Sequence, residues 1–167
     1  MADTDDRLLE SRVRDLERRY ADAVDSRRMD AWLDCFTEDG SYYVIAADNE
    51  SDDLPLCLMM DDCRERLEDR ATFVRDIWPG SFEDYQTRHF FQPLRLEPEP
   101  GAKSGSGMFR ALANFTVFAT DARGRTSLFI AGQYRDRIRV NGDDCRYVER
   151  RVVMDTFTTP GVVVYPL

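Results

Sequence analysis

At 167 residues, 43% of them apolar and 11% aromatic, the chain has the size of one domain, taken as 1–167, with enough apolar surface for a packed core. Its net charge of −9 and pI near 4.7 argue against nucleic acid as a partner, which calls for a clustered basic face. No run approaches the ~20 apolar residues of a helical membrane span, and the acidic start Met1-Ala2-Asp3-Thr4-Asp5-Asp6 does not suit a signal peptide, so the expectation is a cytoplasmic protein.

Leu8–Phe36 reads as an amphipathic helix running into a short second helix. Leu9, Val13, Leu16, Tyr20 and Val24 form one stripe of a 3.6-residue period, with Arg12, Asp15, Glu17, Arg18 and Arg19 on the opposite side. Asp3-Thr4-Asp5-Asp6 offers N-cap candidates. Asp25-Ser26-Arg27-Arg28 is a polar break, Met29, Trp32, Leu33 and Phe36 make the second stripe, and Phe36–Gly40 carries turn chemistry. Ser41–Ala47 reads as a strand and Asp48–Asp53 as a solvated acidic loop. Leu54–Met60 is a short apolar run of undecided type. Cys63–Trp78 has Leu67, Ala71, Val74 and Trp78 on one helical side, and Pro79-Gly80 stops it.

From Gln86 onward the pattern turns to β. Gln86–Glu97 is followed by the polar loop Lys103–Gly107. Met108–Thr120 alternates, with Phe109, Ala111, Ala113, Phe115 and Val117 on one face. Thr126–Val140 sets Leu128, Ile130, Gly132, Tyr134, Ile138 and Val140 against Gln133, Arg135, Arg137 and Arg139. In Arg146–Phe157, Val148, Val152 and Met154 stand opposite Tyr147, Glu149 and Arg151. Asp121–Gly124 and Asn141–Asp144 are hairpin signals, and Val162–Leu167 is an apolar tail. Helices first and hairpin-linked strands after them predict α+β, with a curved, mainly antiparallel sheet giving every apolar stripe a partner.

Few residues suggest chemistry. There is no Gly-rich phosphate loop, no G-x-S-x-G and no His–Cys pattern for a Rieske cluster or zinc. With His89 as the one histidine, a two-His-one-carboxylate iron centre cannot be assembled from this chain alone. Cys35, Cys57, Cys63 and Cys145 follow no C-x-x-C spacing and read as free thiols packed as small hydrophobes. His89 among aromatics is either a core residue or a general base. Asp39 beside Tyr42 and Tyr43 invites an acid–base reading, against its ordinary role as a turn residue. Arg135, Arg137, Arg139, Arg150 and Arg151 are either a solvated strand face or a subunit interface.

Several strings, in order, resemble the small (β) subunit of aromatic-ring-hydroxylating dioxygenases of the benzoate, anthranilate, salicylate and terephthalate type. They are Tyr20-Ala21-Asp22-Ala23-Val24-Asp25-Ser26 leading to Trp32, Phe36-Thr37-Glu38-Asp39, Tyr42-Tyr43-Val44, Leu67-Glu68-Asp69-Arg70, Arg88-His89, and the tail from Asp155 to Pro166-Leu167. The resemblance implies a cystatin-like or NTF2-like cone, its curved sheet wrapped around the long N-terminal helix. It implies a large (α) subunit as partner, commonly three large and three small chains, serving the catabolism of aromatic compounds. The Rieske [2Fe–2S] cluster and mononuclear iron are expected in that large subunit, and no catalytic residue carries over to this chain. The same fold also serves free-standing dehydratases and isomerases such as scytalone dehydratase. In that alternative, His89, Asp39, Tyr42 and Tyr43 are the candidates inside the cone.

Overall fold

The computed structural model describes residues 2–51, 56–81, 84–102 and 107–167, with side chains from Arg7 onward. Helix α1 spans Ala2–Asp25, α2 Met29–Leu33, α3 Ala47–Ser51 and α4 Arg64–Thr72, the last continuing into a π turn, Phe73–Ile77. The strands are β1 Phe36–Ala46, β2 Cys57–Asp61, β3 Tyr85–Pro98, β4 Met108–Asp121, β5 Thr126–Asn141 and β6 Asp144–Met154. Among the described residues they form one six-stranded sheet in the order β2-β1-β6-β5-β4-β3. Every neighbouring pair is antiparallel except β1 with β6, which run parallel. This is the expected α+β, NTF2-like architecture, a curved sheet with the long helix against its inner face.

The apolar stripe of α1 meets that inner face through Leu16, Tyr20, Ala23 and Val24, all at or near zero exposure. Arg27 ends the helix in the left-handed region (φ 56°), while the Arg28 and Arg27 N–H groups donate back to the Ala23 and Val24 carbonyls at 2.7 and 2.9 Å. A non-glycine residue in that conformation needs support. The Arg27 guanidinium supplies it by donating to both Asp84 carboxylate oxygens (2.8 and 3.1 Å) and to the Tyr85 carbonyl (3.0 Å). The C-terminal tail closes the same end of the cone. Val164, Tyr165 and Leu167 are buried, the Tyr20 hydroxyl donates to the Leu167 carbonyl at 2.8 Å, and the Leu167 N–H donates to the Tyr42 hydroxyl at 2.8 Å.

Several boundaries differ from the sequence reading. Asp3–Asp6 lies inside α1 instead of capping it. Phe36–Gly40 opens β1 rather than forming a turn, because Phe36 already pairs with Tyr147 and a register shift before Ser41 absorbs the turn-prone residues. Asp48–Ser51 is helical, with Asn49 donating from its side chain to the Leu56 carbonyl, and residues 52–53 of the expected acidic loop lie outside the described residues. The run from Leu54 is described from Leu56 onward, and Cys57–Asp61 is a strand; residues 103–106 of the expected polar loop also lie outside the description. The four cysteines are free thiols, Cys35 and Cys145 buried.

Two β-bulges reverse facing assignments. Opposite Val117 and Phe118, β5 places Ile130 and Leu128, so Phe129 is the extra residue. Leu128 therefore turns outward at 55% exposure and Phe129 is buried in its stead. On β6, Arg137 and Ile138 face Glu149 and Tyr147, leaving Val148 as the extra residue. Tyr147 then points into the core, and so does Arg150 three positions on.

Candidate functional site

The centre of the cone is filled by Arg150, whose side chain has zero exposure. One of its terminal nitrogens donates to Glu17 Oε2 (2.8 Å) from α1 and to Asp136 Oδ2 (3.2 Å) from β5. The guanidinium carbon lies 3.8 Å from the centroid of the Tyr134 ring, 4.1 Å from Tyr20 and 4.3 Å from Tyr147, a three-ring cage around a cation. Phe115 stacks on the far side of Tyr134 at 4.4 Å and 10°. These positions correct two readings, of Arg150 and Glu17, and add Asp136, which the sequence reading did not place. Arg150 is no part of a surface row, Glu17 belongs to the buried side of α1, and Asp136 stands on the inner face of β5 between Tyr134 and Ile138. Arg150 stands in phase with the inward-facing Val152 and Met154, which explains the first; the other two are polar residues held on an apolar face by a partner the sequence pattern does not display.

His89 lies on β3 with its side chain 2% exposed, and its Nδ1 is 2.6 Å from Asp25 Oδ1. Asp25, the last residue of α1, also accepts the Thr87 hydroxyl at 2.9 Å and the His89 backbone N–H at 3.0 Å. A carboxylate at a helix C-terminus opposes the helix dipole, and these three donors from β3 offset that cost. Burial raises the Asp25 carboxyl, yet the contacts from His89 and Thr87 outweigh it and leave it below the usual range. The contribution is thus present above the unfolded carboxyl value and lost as pH falls through the lower folded value. Urea unfolding at pH 7, 5 and 3 should show the stability gap between wild type and Asp25→Asn narrowing below about pH 4; a constant gap would show that Asp25 has no such role.

The four residues considered for an active cone do not converge. Tyr42 is fully buried under the tail, with its hydroxyl pushed up to about 12 by burial. Tyr43 faces outward with Arg151 over its ring at 5.2 Å, and Asp39 is exposed and paired with Arg139 at 3.4 Å. The carboxylate that His89 meets is Asp25, which the sequence reading did not single out.

The outer face of the sheet carries the remaining arginines. Arg137 donates to both oxygens of Glu99 (2.6 and 3.3 Å), and Arg135 and Arg151 each lie 3.5 Å from Glu50. Gln92, Asn114 and Gln133 form an amide ladder across β3, β4 and β5, and beyond it Phe90 meets Phe118 edge-on at 5.8 Å near the exposed Leu128. Arg135, Arg137, Arg139 and Arg151 are thus partly exposed and already paired within the chain. Among the described residues no three His, Cys, Asp or Glu side chains converge as metal ligands, and the imidazole of His89 is bound to Asp25.

Comparison with known proteins adds the following. The profile of the family described as ring hydroxylating beta subunit matches residues 19–160. The chain is 30% identical to the terephthalate 1,2-dioxygenase terminal oxygenase component subunit beta 1 of a Comamonas species, over 89% of this chain and 92% of that one. It is 26% identical to the anthranilate 1,2-dioxygenase small subunit of Burkholderia cepacia, over 91% and 90%. Among solved structures, a β subunit assigned to an aromatic-ring-hydroxylating dioxygenase of Novosphingobium aromaticivorans superposes with a TM-score of 0.82 at 26% identity, covering 96% of this chain and 98% of that one.

Proposed function

The chain belongs to the ring-hydroxylating dioxygenase β-subunit family, and from that membership we propose that it is the structural small subunit of an enzyme that adds dioxygen to a carboxylated aromatic ring. The observation that carries the reading is the family match over residues 19–160, which favours it over a free-standing dehydratase or isomerase. It is supported by a cone whose centre is taken up by the chain's own Arg150 and its tyrosines, the space a small substrate would need. The partner is a large subunit that holds the Rieske cluster and the mononuclear iron, and the assembly is three large with three small chains in the cytoplasm. The substrate class follows the printed names of the anthranilate and terephthalate relatives.

Within that assembly the outer sheet face is the contact surface, through Arg135, Arg137, Arg139 and Arg151 rather than Arg150. Pairing to a neighbour's carboxylates is worth ~1 kcal/mol or less for each exposed pair and more where water is excluded. Co-expression with the cognate large subunit should give a hetero-oligomer by size exclusion and native mass spectrometry. The double variant Arg137→Glu/Arg139→Glu should weaken it. A chain that stays apart from the large subunit would overturn the function; an assembly unmoved by charge reversal would overturn only the surface.

A further inference from the structure

The buried centre holds more acid than base. Glu17 and Asp136 share a single guanidinium nitrogen, at 2.8 and 3.2 Å. Two carboxylates gathered at one nitrogen in a buried site repel each other, which favours a proton on one of them. Asp136 Oδ1 is fully buried and has no hydrogen-bond partner, a position that a carboxylic acid tolerates far better than a carboxylate. Among the described residues Arg150 is the one cation hydrogen-bonded to either carboxylate; Arg14 and Arg95 line the cleft beside Glu17, Arg19 lies toward Cys35 and Cys145, and Arg70 toward Tyr42. The groups facing the site are Tyr20 from α1, Tyr134 from β5, Tyr147 from β6, Tyr42 from β1 and the Cys35 thiol before β1. All four tyrosines and Cys35 are neutral at ordinary pH, because burial raises each of them.

We propose that Asp136 is protonated in the native protein at neutral pH, a carboxylic acid set beside the buried Arg150–Glu17 ion pair. Asp136 fits this role: burial pushes it well above the usual carboxylate range, Glu17 pushes it further, and the pull of Arg150 does not cancel them. A route for exchange exists. Glu17 lines a cleft of about 210 Å³ between α1 and the β3–β4 edge, walled by Val13, Leu96 and Ala113.

The sign is opposite to that of Asp25. A proton held when folded and released when unfolded stabilises fully below the unfolded carboxyl value, and the gain is lost as pH rises toward the folded one. Asp136→Asn mimics the protonated acid and removes this dependence. In urea unfolding of the full chain from pH 5 to 8, the folding constant of wild type relative to Asp136→Asn should fall about tenfold per pH unit, which is about 1.4 kcal/mol. Parallel curves would overturn the proposal. Carboxyl ¹³C NMR of the wild-type chain decides the matter even if the variant does not fold. At pH 7 Asp136 should give the signal of a neutral acid, whereas a carboxylate signal from it would overturn the proposal.

Discussion

Arg150→Met should cost about 3–5 kcal/mol, because removing one partner of a buried ion cluster leaves the others in a medium that cannot solvate them. With 5–15 kcal/mol typical of a whole domain, this is a fifth or more of the stability. Methionine refills much of the volume between the rings of Tyr20, Tyr134 and Tyr147, so the loss is electrostatic rather than that of a cavity. Two features identify the mechanism. The cost should shrink toward pH 4, where acid neutralises carboxylates left without a cation, and the triple variant Arg150→Met/Glu17→Gln/Asp136→Asn should recover most of it. Urea midpoints at pH 4 and pH 8 check both; a cost that is independent of pH and unrelieved in the triple variant would assign Arg150 to shape alone.

The sequence displayed the helix–sheet architecture and concealed the centre. Period and turn residues are local properties, so the span of α1 and the alternation of β4 could be read directly. A bulge is set by the partner strand, and one inserted residue inverts every later side chain. Leu128 and Tyr147 therefore face opposite to a plain alternation, whereas Arg150 keeps the phase of Val152 and Met154, and only its residue type groups it with the solvent-facing arginines. Glu17 sits beside Leu16 on α1 and reads as part of the polar face until a buried cation is known. Asp136 left a usable signal, an acid at an apolar phase position between Tyr134 and Ile138. Asp25 left another, a carboxylate at the dipole-disfavoured end of a helix.

The family was legible for a different reason. The strings that carry the resemblance fall largely on core positions, Tyr20, Ala23, Val24, Trp32, Phe36, Tyr42 and Leu67 among them, all with essentially no exposure. Packing restricts such residues most tightly, so they keep a fold's signature when surfaces drift. The outer arginines have no comparable constraint within the chain, and their partners, Glu50 in the five-residue α3 and Glu99 in the β3–β4 connection, lie where periodicity does not place them.

Gly132→Ala tests how closely the sheet is fitted to that centre. Gly132 sits on β5 opposite Met154, and a Cβ there would lie 2.1 Å from the Val153 carbonyl oxygen, 3.0 Å from the Met154 Cα and 3.0 Å from the Phe115 ring. Backbone atoms of a paired strand cannot move aside as a flexible side chain can, so β6 must shift or the ladder must open. The expected cost is at the upper end of overpacking, about 3 kcal/mol, or roughly 6–12 °C in melting temperature for a chain of this size. Gly161 is the control, because its added methyl would meet nothing within 4 Å and its φ is not positive. Gly161→Ala should be neutral or slightly stabilising through the unfolded chain. The displacement would also reach the centre, since Phe115 stacks on Tyr134 and Tyr134 covers Arg150. Gly132→Ala should therefore lower the cost of a second change, Arg150→Met, in a double-mutant cycle, whereas strict additivity would show that the cage is independent of the strand behind it.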